Sequence, residues 1–139
     1  MAQPADGNQA YAETTRAIRI TVRPIYLADQ SSPANGHYVF AYQVKIENQG
    51  QDTVQLRSRY WRITDGNGNV KEVRGAGVVG EQPTLAPGQS FEYTSGTPLP
   101  TASGIMVGTY QMVTEAGEKF EVAIPAFSLD APDAARRLN

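Results

Sequence analysis

The chain has 139 residues, 12 Lys and Arg against 14 Asp and Glu, and a formal charge of −2. One domain fits that length, and a chain of this size can build a core without staples. The lack of cysteine excludes disulfides, zinc–thiolate sites, iron–sulfur clusters and Cys nucleophiles, and a single histidine, His37, excludes multi-His metal sites.

The first residues, Met1-Ala2-Gln3-Pro4-Ala5-Asp6-Gly7, are polar, with no basic start and no apolar run. They do not resemble a signal peptide, and no stretch approaches the roughly 20 apolar residues of a spanning helix. The reading is a cytoplasmic protein that does not insert into a membrane. Residues 1–14 and 130–139 are expected to be flexible tails around one domain at 15–129, because their composition cannot bury enough apolar surface to order them.

Between the tails the signal is period two, which puts one face of a strand in a core and the other in water. Ile18, Ile20 and Val22 lead, with Pro24 marking an edge or a strand switch. Asn35-Gly36 reads as a hairpin turn into Phe40, Tyr42, Val44 and Ile46. A third strand begins at Val54 and Leu56 and changes phase before Trp61 and Ile63, which a β-bulge near residues 58–60 would reconcile. That phase makes Trp61 a core residue. Asp65-Gly66-Asn67-Gly68-Asn69 separates it from a short strand at 70–74. Pro87-Gly88 suits a type II turn before Phe91 and Tyr93. Met106, Gly108, Tyr110 and Met112, then Glu115-Ala116-Gly117, then Phe120, Val122 and Ile124 form a last hairpin. The fold class is all-β, a single immunoglobulin/fibronectin III-like β-sandwich of about seven strands.

Three motifs suggest chemistry. Gly75-Ala76-Gly77-Val78-Val79-Gly80 spells G-x-G-x-x-G, but that fingerprint needs a helix at its end, and Pro83 and Pro87 follow instead. A bend using glycine for positive φ is the plainer reading, with an anion nest of backbone N–H groups as the alternative. Residues 65–69 open like a calcium loop, yet the next glycine is Val70 and the twelfth position is Ala76, so a hairpin turn is preferred. Arg57, Arg59 and Trp61 could line one face for a phosphate or a protein, but one Trp and scattered cations do not make a nucleic-acid platform. His37 reads as a solvated turn residue. Glu81 is a lone acid without a carboxylate partner for acid/base chemistry.

Several of these stretches, in order, resemble the ApaG family. They are Arg59-Tyr60-Trp61-Arg62-Ile63-Thr64-Asp65, the run from Val73 through the glycine hexad to Glu81-Gln82-Pro83, Leu85-Ala86-Pro87-Gly88, Phe91-Glu92-Tyr93-Thr94-Ser95-Gly96, the run from Gly104 to Met112, and Ile124-Pro125-Ala126-Phe127-Ser128-Leu129. The resemblance implies a bacterial, cytoplasmic, fibronectin III-like domain linked to cobalt resistance and magnesium and cobalt efflux, with no catalytic residues to carry over and no cofactor. It implies a non-catalytic module for protein–protein interaction, acting indirectly on divalent cations. The alternative is a nucleotide or pyrophosphate bound through the glycine loop; weak anion or divalent-cation binding stays open, since magnesium needs only one or two carboxylates. The candidate contact residues are Arg59, Arg74, Gly75, Gly77, Gly80, Glu81 and Gln82, for an unidentified protein partner. A nucleic-acid partner is not expected, and the chain should be a monomer or a weak homodimer.

Overall fold

Period-two alternation becomes strand throughout a computed structural model that describes residues 9–132. In chain order the strands are β1 (Tyr11–Thr15), β2 (Ile18–Tyr26), β3 (Tyr38–Asn48), β4 (Val54–Asp65), β5 (Val70–Ala76), β6 (Thr84–Leu85), β7 (Ser90–Leu99), β8 (Ser103–Thr114) and β9 (Lys119–Asp130). Every pairing is antiparallel. One sheet has the order β1-β2-β3-β7, the other β5-β4-β8-β9, with β6 also on β4. The two sheets form the expected sandwich.

The described residues form nine strands where about seven were expected. One addition, β1, begins inside the stretch read as the N-terminal tail. It pairs from Tyr11↔Val22 to Thr15↔Ile18. Its sequence, YAETT, has one large apolar residue, so local pattern does not mark it. Tertiary contacts order it instead: the Tyr11 ring sits 6.1 Å from that of Phe127, its hydroxyl meets Ser128 Oγ at 3.2 Å, and Ala123 N–H donates to Thr15 Oγ1 at 3.2 Å. Residues 1–8 and 133–139 of the two expected tails lie outside the described residues. The other addition, β6, is two residues long.

The core is the one the alternation marks. Ile18, Ile20 and Val22 face Phe40, Val44 and Ile46 within their sheet, all at most 1% exposed, over Met106, Tyr110 and Val122 of the other. Trp61 is buried, its ring 5.3 Å from Tyr42 and 5.9 Å from Phe127, nearly perpendicular to the latter. Two bulges set the phases. The first lies at Arg57, between Leu56 and Ser58, one residue ahead of the expected window. It lets Leu56 and Trp61, of opposite parity, share one core. The second lies in β9 opposite Met106 to Gly108, so that Ile124 and Phe127 both turn inward around Pro125, a residue without an N–H for the ladder.

Turn chemistry follows the sequence with one exception. Gly88 has φ +86° and Gln89 N–H donates to Ala86 O at 2.9 Å, as a type II turn requires. Asp65 Oδ1 accepts from Asn67 N–H and Asn69 N–H, which closes the β4–β5 hairpin and occupies the carboxylate that a calcium loop would use. Asn35-Gly36 is not a two-residue hairpin turn. β2 and β3 are joined through two 3-10 turns, Ala28–Gln30 and Pro33–Asn35, and Gly36 at φ +64° ends the second. His37 follows, exposed, its backbone paired with Ser32. Pro24 behaves as an edge residue. Leu27 N–H donates to Val39 O, so odd positions of β2 face β3 and Pro24 faces the side where β1 has already ended. Packing of β1 and β2 on β9 closes one side of the sandwich, leaving β5 and β7 as the free edges.

Candidate functional site

Strands β5 and β6 lie along the same side of β4 and act as one strand with an excursion. Gly77 N–H donates to Arg57 O at 2.9 Å, and Leu56 N–H donates to Pro83 O at 3.0 Å. Arg57 and Leu56 are adjacent, so residues 78–82 are looped out of the ladder. Within the loop Val78 and Glu81 exchange N–H···O bonds of 2.8 and 2.9 Å. The turn between them has φ +43° at Val79 and +82° at Gly80. Two successive positive φ values belong to a type I′ turn, where Asn-Gly is the natural pair and a β-branched residue is strained. Val78 is fully buried beneath the turn and Val79 is 54% exposed at its tip.

Three side chains clamp this excursion with four hydrogen bonds. Arg59 Nη1 donates to Ala76 O at 3.1 Å and to Gly77 O at 2.9 Å. Its guanidinium occupies the space over Gly75, where a Cβ would stand 2.9 Å from it. Gln82 Nε2 donates to Arg57 O at 2.8 Å, and Gln55 Nε2 to Gln82 O at 3.1 Å. Gly77 combines φ +62° with a position where any Cβ would overlap the Glu81 carbonyl oxygen.

The electrostatics of the loop follow from these bonds. Two carbonyls converge on a guanidinium, and the N–H groups of Gly77, Val78 and Glu81 are committed to internal acceptors. An anion nest needs the reverse, successive N–H groups aimed into one hollow. The element after the loop is a strand, β6, so no helix dipole stands behind the hexad.

The structure divides the residues grouped by sequence. Arg59 lies in register with Tyr110 and Gly75, in the row facing the other sheet. Arg74 lies in register with Tyr60 on the opposite, outer face, its guanidinium carbon 4.6 Å from the centre of the Tyr60 ring. The Tyr60 hydroxyl donates to the Glu72 carboxylate. Arg57 stands in the bulge, bonded to Gln55. Glu81 and Gly80 are exposed on the turn, and Gln82 serves the clamp.

Sequence reasoning missed the tyrosines behind Arg59. The hydroxyls of Tyr93 and Tyr110 are hydrogen-bonded to each other across the two sheets, and the Tyr42 hydroxyl bonds Ser95. Burial pushes the pKa of all three above the ordinary phenol value, against a smaller opposing pull from the Arg59 charge. Their parity marks each as a core residue, but the meeting of their polar ends depends on which sheets face each other. No three His, Asp or Glu side chains converge as metal ligands among the described residues, and none of the described helices is long and apolar enough to cross a membrane.

The family model of the ApaG domain matches residues 28–114, well over half of the chain, and spans the whole excursion. The chain belongs to the ApaG family. It is 65% identical to the ApaG protein of Rhodospirillum centenum over 129 residues, 93% of this chain and 99% of that one. The ApaG protein of Paramagnetospirillum magneticum is 63% identical over the same span. Among solved structures, an ApaA protein from Bordetella pertussis superposes with a TM-score of 0.81 at 53% identity, covering 87% of this chain and 95% of that one. The C-terminal domain of Wzt shares the fold alone, with a TM-score of 0.52 at 10% identity over 92% of this chain and 81% of that one. The ApaG match runs from the β2–β3 connection through β8, so the Arg59 clamp and the type I′ turn both lie within the matched domain.

Proposed function

We propose that this ApaG protein is a non-catalytic, cytoplasmic binding module that docks another protein through residues 75–83. One observation carries the reading: a clamped loop holds a strained, apolar side chain, Val79, out in solvent. A turn that only reversed the chain would be more stable with Asn or Gly at that position. Rigid presentation of an apolar tip lowers the ordering cost of binding and suits insertion into a pocket on a partner. Any part in cobalt and magnesium homeostasis then runs through that partner. Pyrophosphate or nucleotide binding at residues 75–80 is the weaker reading, because Arg59 draws carbonyls toward the loop centre and the N–H groups of Gly77, Val78 and Glu81 are engaged.

The test places a photo-crosslinking residue at exposed Glu81 in the bacterium that carries the gene. The expected result is one discrete protein adduct, absent when the crosslinker stands at Thr21 on the other sheet and abolished by Val79→Asn. An adduct pattern identical at both positions, or no adduct at Glu81, ends this reading. Amide NMR with pyrophosphate examines the alternative, which requires saturable shifts at Gly77 and Gly80.

A further inference from the structure

Two Asn-Gly steps stand in exposed turns, Asn35-Gly36 and Asn67-Gly68. An asparagine followed by glycine carries latent chemistry. Its side-chain amide carbon is an electrophile, the next backbone nitrogen is a nucleophile, and glycine has no Cβ to keep the two apart. Closure needs the backbone N–H to leave its acceptor and the side-chain amide to turn toward it. The fold decides how freely each can happen.

At Asn35 both groups are held. Gly36 N–H donates to Pro33 O at 3.0 Å, and Asn35 Nδ2 donates to Ser32 Oγ at 2.7 Å. Asn35 also ends the 3-10 turn Pro33–Asn35, and Ser32 and His37 exchange backbone bonds of 2.7 and 3.1 Å around it. At Asn67 the side chain is not held. Gly68 N–H donates to Asp65 O at 3.0 Å, but no described residue bonds the Asn67 side-chain amide. That side chain turns in solvent, and a single backbone bond at an exposed hairpin tip opens at little cost. The adjoining Asp65-Gly66 step is shut for another reason. A carboxylate is a poor electrophile, Asp65 Oδ1 already accepts from Asn67 N–H and Asn69 N–H, and Gly66 N–H donates to Thr101 Oγ1 at 2.8 Å.

We propose that Asn67 is a site of covalent modification, at which the tip of the β4–β5 hairpin converts to isoaspartate while Asn35 stays intact. The Gly68 nitrogen attacks Cγ of Asn67, an N–Cγ bond forms, and Nδ2 leaves as ammonia with the proton that Gly68 gives up. Water then opens the cyclic imide. Its attack at Cγ gives aspartate. Its attack at the main-chain carbonyl gives isoaspartate, with one extra methylene in the backbone and a free carboxylate. That product, exposed at the hairpin tip, is the chemical group that an isoaspartyl carboxyl methyltransferase recognises and methylates from S-adenosylmethionine. The site lies at the opposite end of β5 from the glycine excursion and does not depend on the Val79 contact.

The test incubates the full chain, folded, in mildly alkaline buffer and follows both Asn-Gly steps by peptide mapping and mass spectrometry. The Asn67 peptide should gain one mass unit about fivefold faster than the Asn35 peptide, or more, the ratio that one side-chain hydrogen bond supplies. Purified isoaspartyl methyltransferase with labelled S-adenosylmethionine should place its methyl group on the Asn67 peptide. In concentrated urea the two steps should react at closely similar rates, since the dipeptide is the same. Ser32→Ala should speed the reaction at Asn35 and leave that at Asn67 unchanged. Asn35 reacting as fast as Asn67 in the folded protein, a rate ratio that survives urea, or a methyl label absent from the Asn67 peptide overturns the assignment. So does an Asn67 that stays intact in the folded protein over a time in which the urea-unfolded chain has fully reacted.

Discussion

The Arg59 guanidinium fills the space that a side chain at residue 75 would need, 2.9 Å from the point where its Cβ would stand. The glycine and the arginine are therefore one device: Gly75 leaves the gap, and Arg59 crosses it to hold the carbonyls of Ala76 and Gly77.

The three glycines of the hexad should then fail differently. Gly77→Ala meets both a positive φ and a backbone oxygen, and should cost about 3 kcal/mol or more. Gly80→Ala has open space and only the φ penalty, about 1–2 kcal/mol. Gly75→Ala displaces a flexible side-chain end and should cost about 1 kcal/mol. In an Arg59→Ala background the Gly75→Ala cost should nearly vanish, and urea unfolding of the four proteins in that cycle measures the coupling. Additive effects would show that the two residues are not linked.

Val79→Asn is expected to stabilise the fold. Asn tolerates the left-handed region that a β-branched residue resists, so relief of about 1 kcal/mol should raise the melting temperature by about 3–4 °C. The same substitution removes the exposed apolar tip. Higher stability together with a lost crosslink would separate a functional residue from a structural one. A melting temperature that falls would mean that Val79 packs in place and that its φ is not a strain.

Asn48 is a core residue that no pattern in the sequence marks as special. It is 2% exposed, donates from Nδ2 to Asp52 O at 2.7 Å and to Leu85 O at 2.9 Å, and accepts from Gly50 N–H at 3.0 Å. It ties the β3–β4 turn to β6, the strand that resumes after the glycine excursion. Asn48→Leu, with the same side-chain branching but no polar atoms, strands two carbonyls and an N–H and should cost about 3 kcal/mol in thermal or urea unfolding. Asn48→Asp should be no better, because a buried carboxylate cannot donate to Leu85 O. A change under about 0.5 kcal/mol for either would show that water or backbone shifts satisfy these groups.

These cases show where sequence reading reached and where it stopped. Ile18, Phe40, Val44, Trp61 and Tyr110 were legible because a sheet buries alternate residues, and a bulge near Trp61 was forced by the clash of phases. The Pro83 and Pro87 positions were enough to deny the hexad a helix. Strand β1 was hidden because its order comes from Phe127 and Ser128, over a hundred residues away. The looped-out turn was hidden because its frame is set by two registers on β4, and nothing in the spacing of Gly75, Gly77 and Gly80 gives a register. Arg59 and Arg74 looked like neighbours on one surface; pairing of β4 with β5 sends them to opposite faces. The Tyr93–Tyr110 contact needed both sheets in place.

That contact predicts alkaline unfolding. Both phenols have raised pKa values in the folded protein, chiefly through burial, while in the unfolded chain they return to about 10. Above that pH the unfolded state loses protons that the folded state keeps, so stability is full below about pH 10 and falls as pH rises toward the folded pKa values. Each phenol contributes a slope of roughly 1.4 kcal/mol per pH unit in that window. Tyrosinate absorbance of these two residues should therefore appear only as the emission of Trp61, the single tryptophan, reports unfolding. Tyr110→Phe should be less stable at neutral pH, since it removes the partner of a buried hydroxyl, and should lose stability more gently above pH 10. An unchanged slope in Tyr110→Phe would mean that Tyr110 ionises without unfolding, and that the space between the sheets at Arg59 admits water.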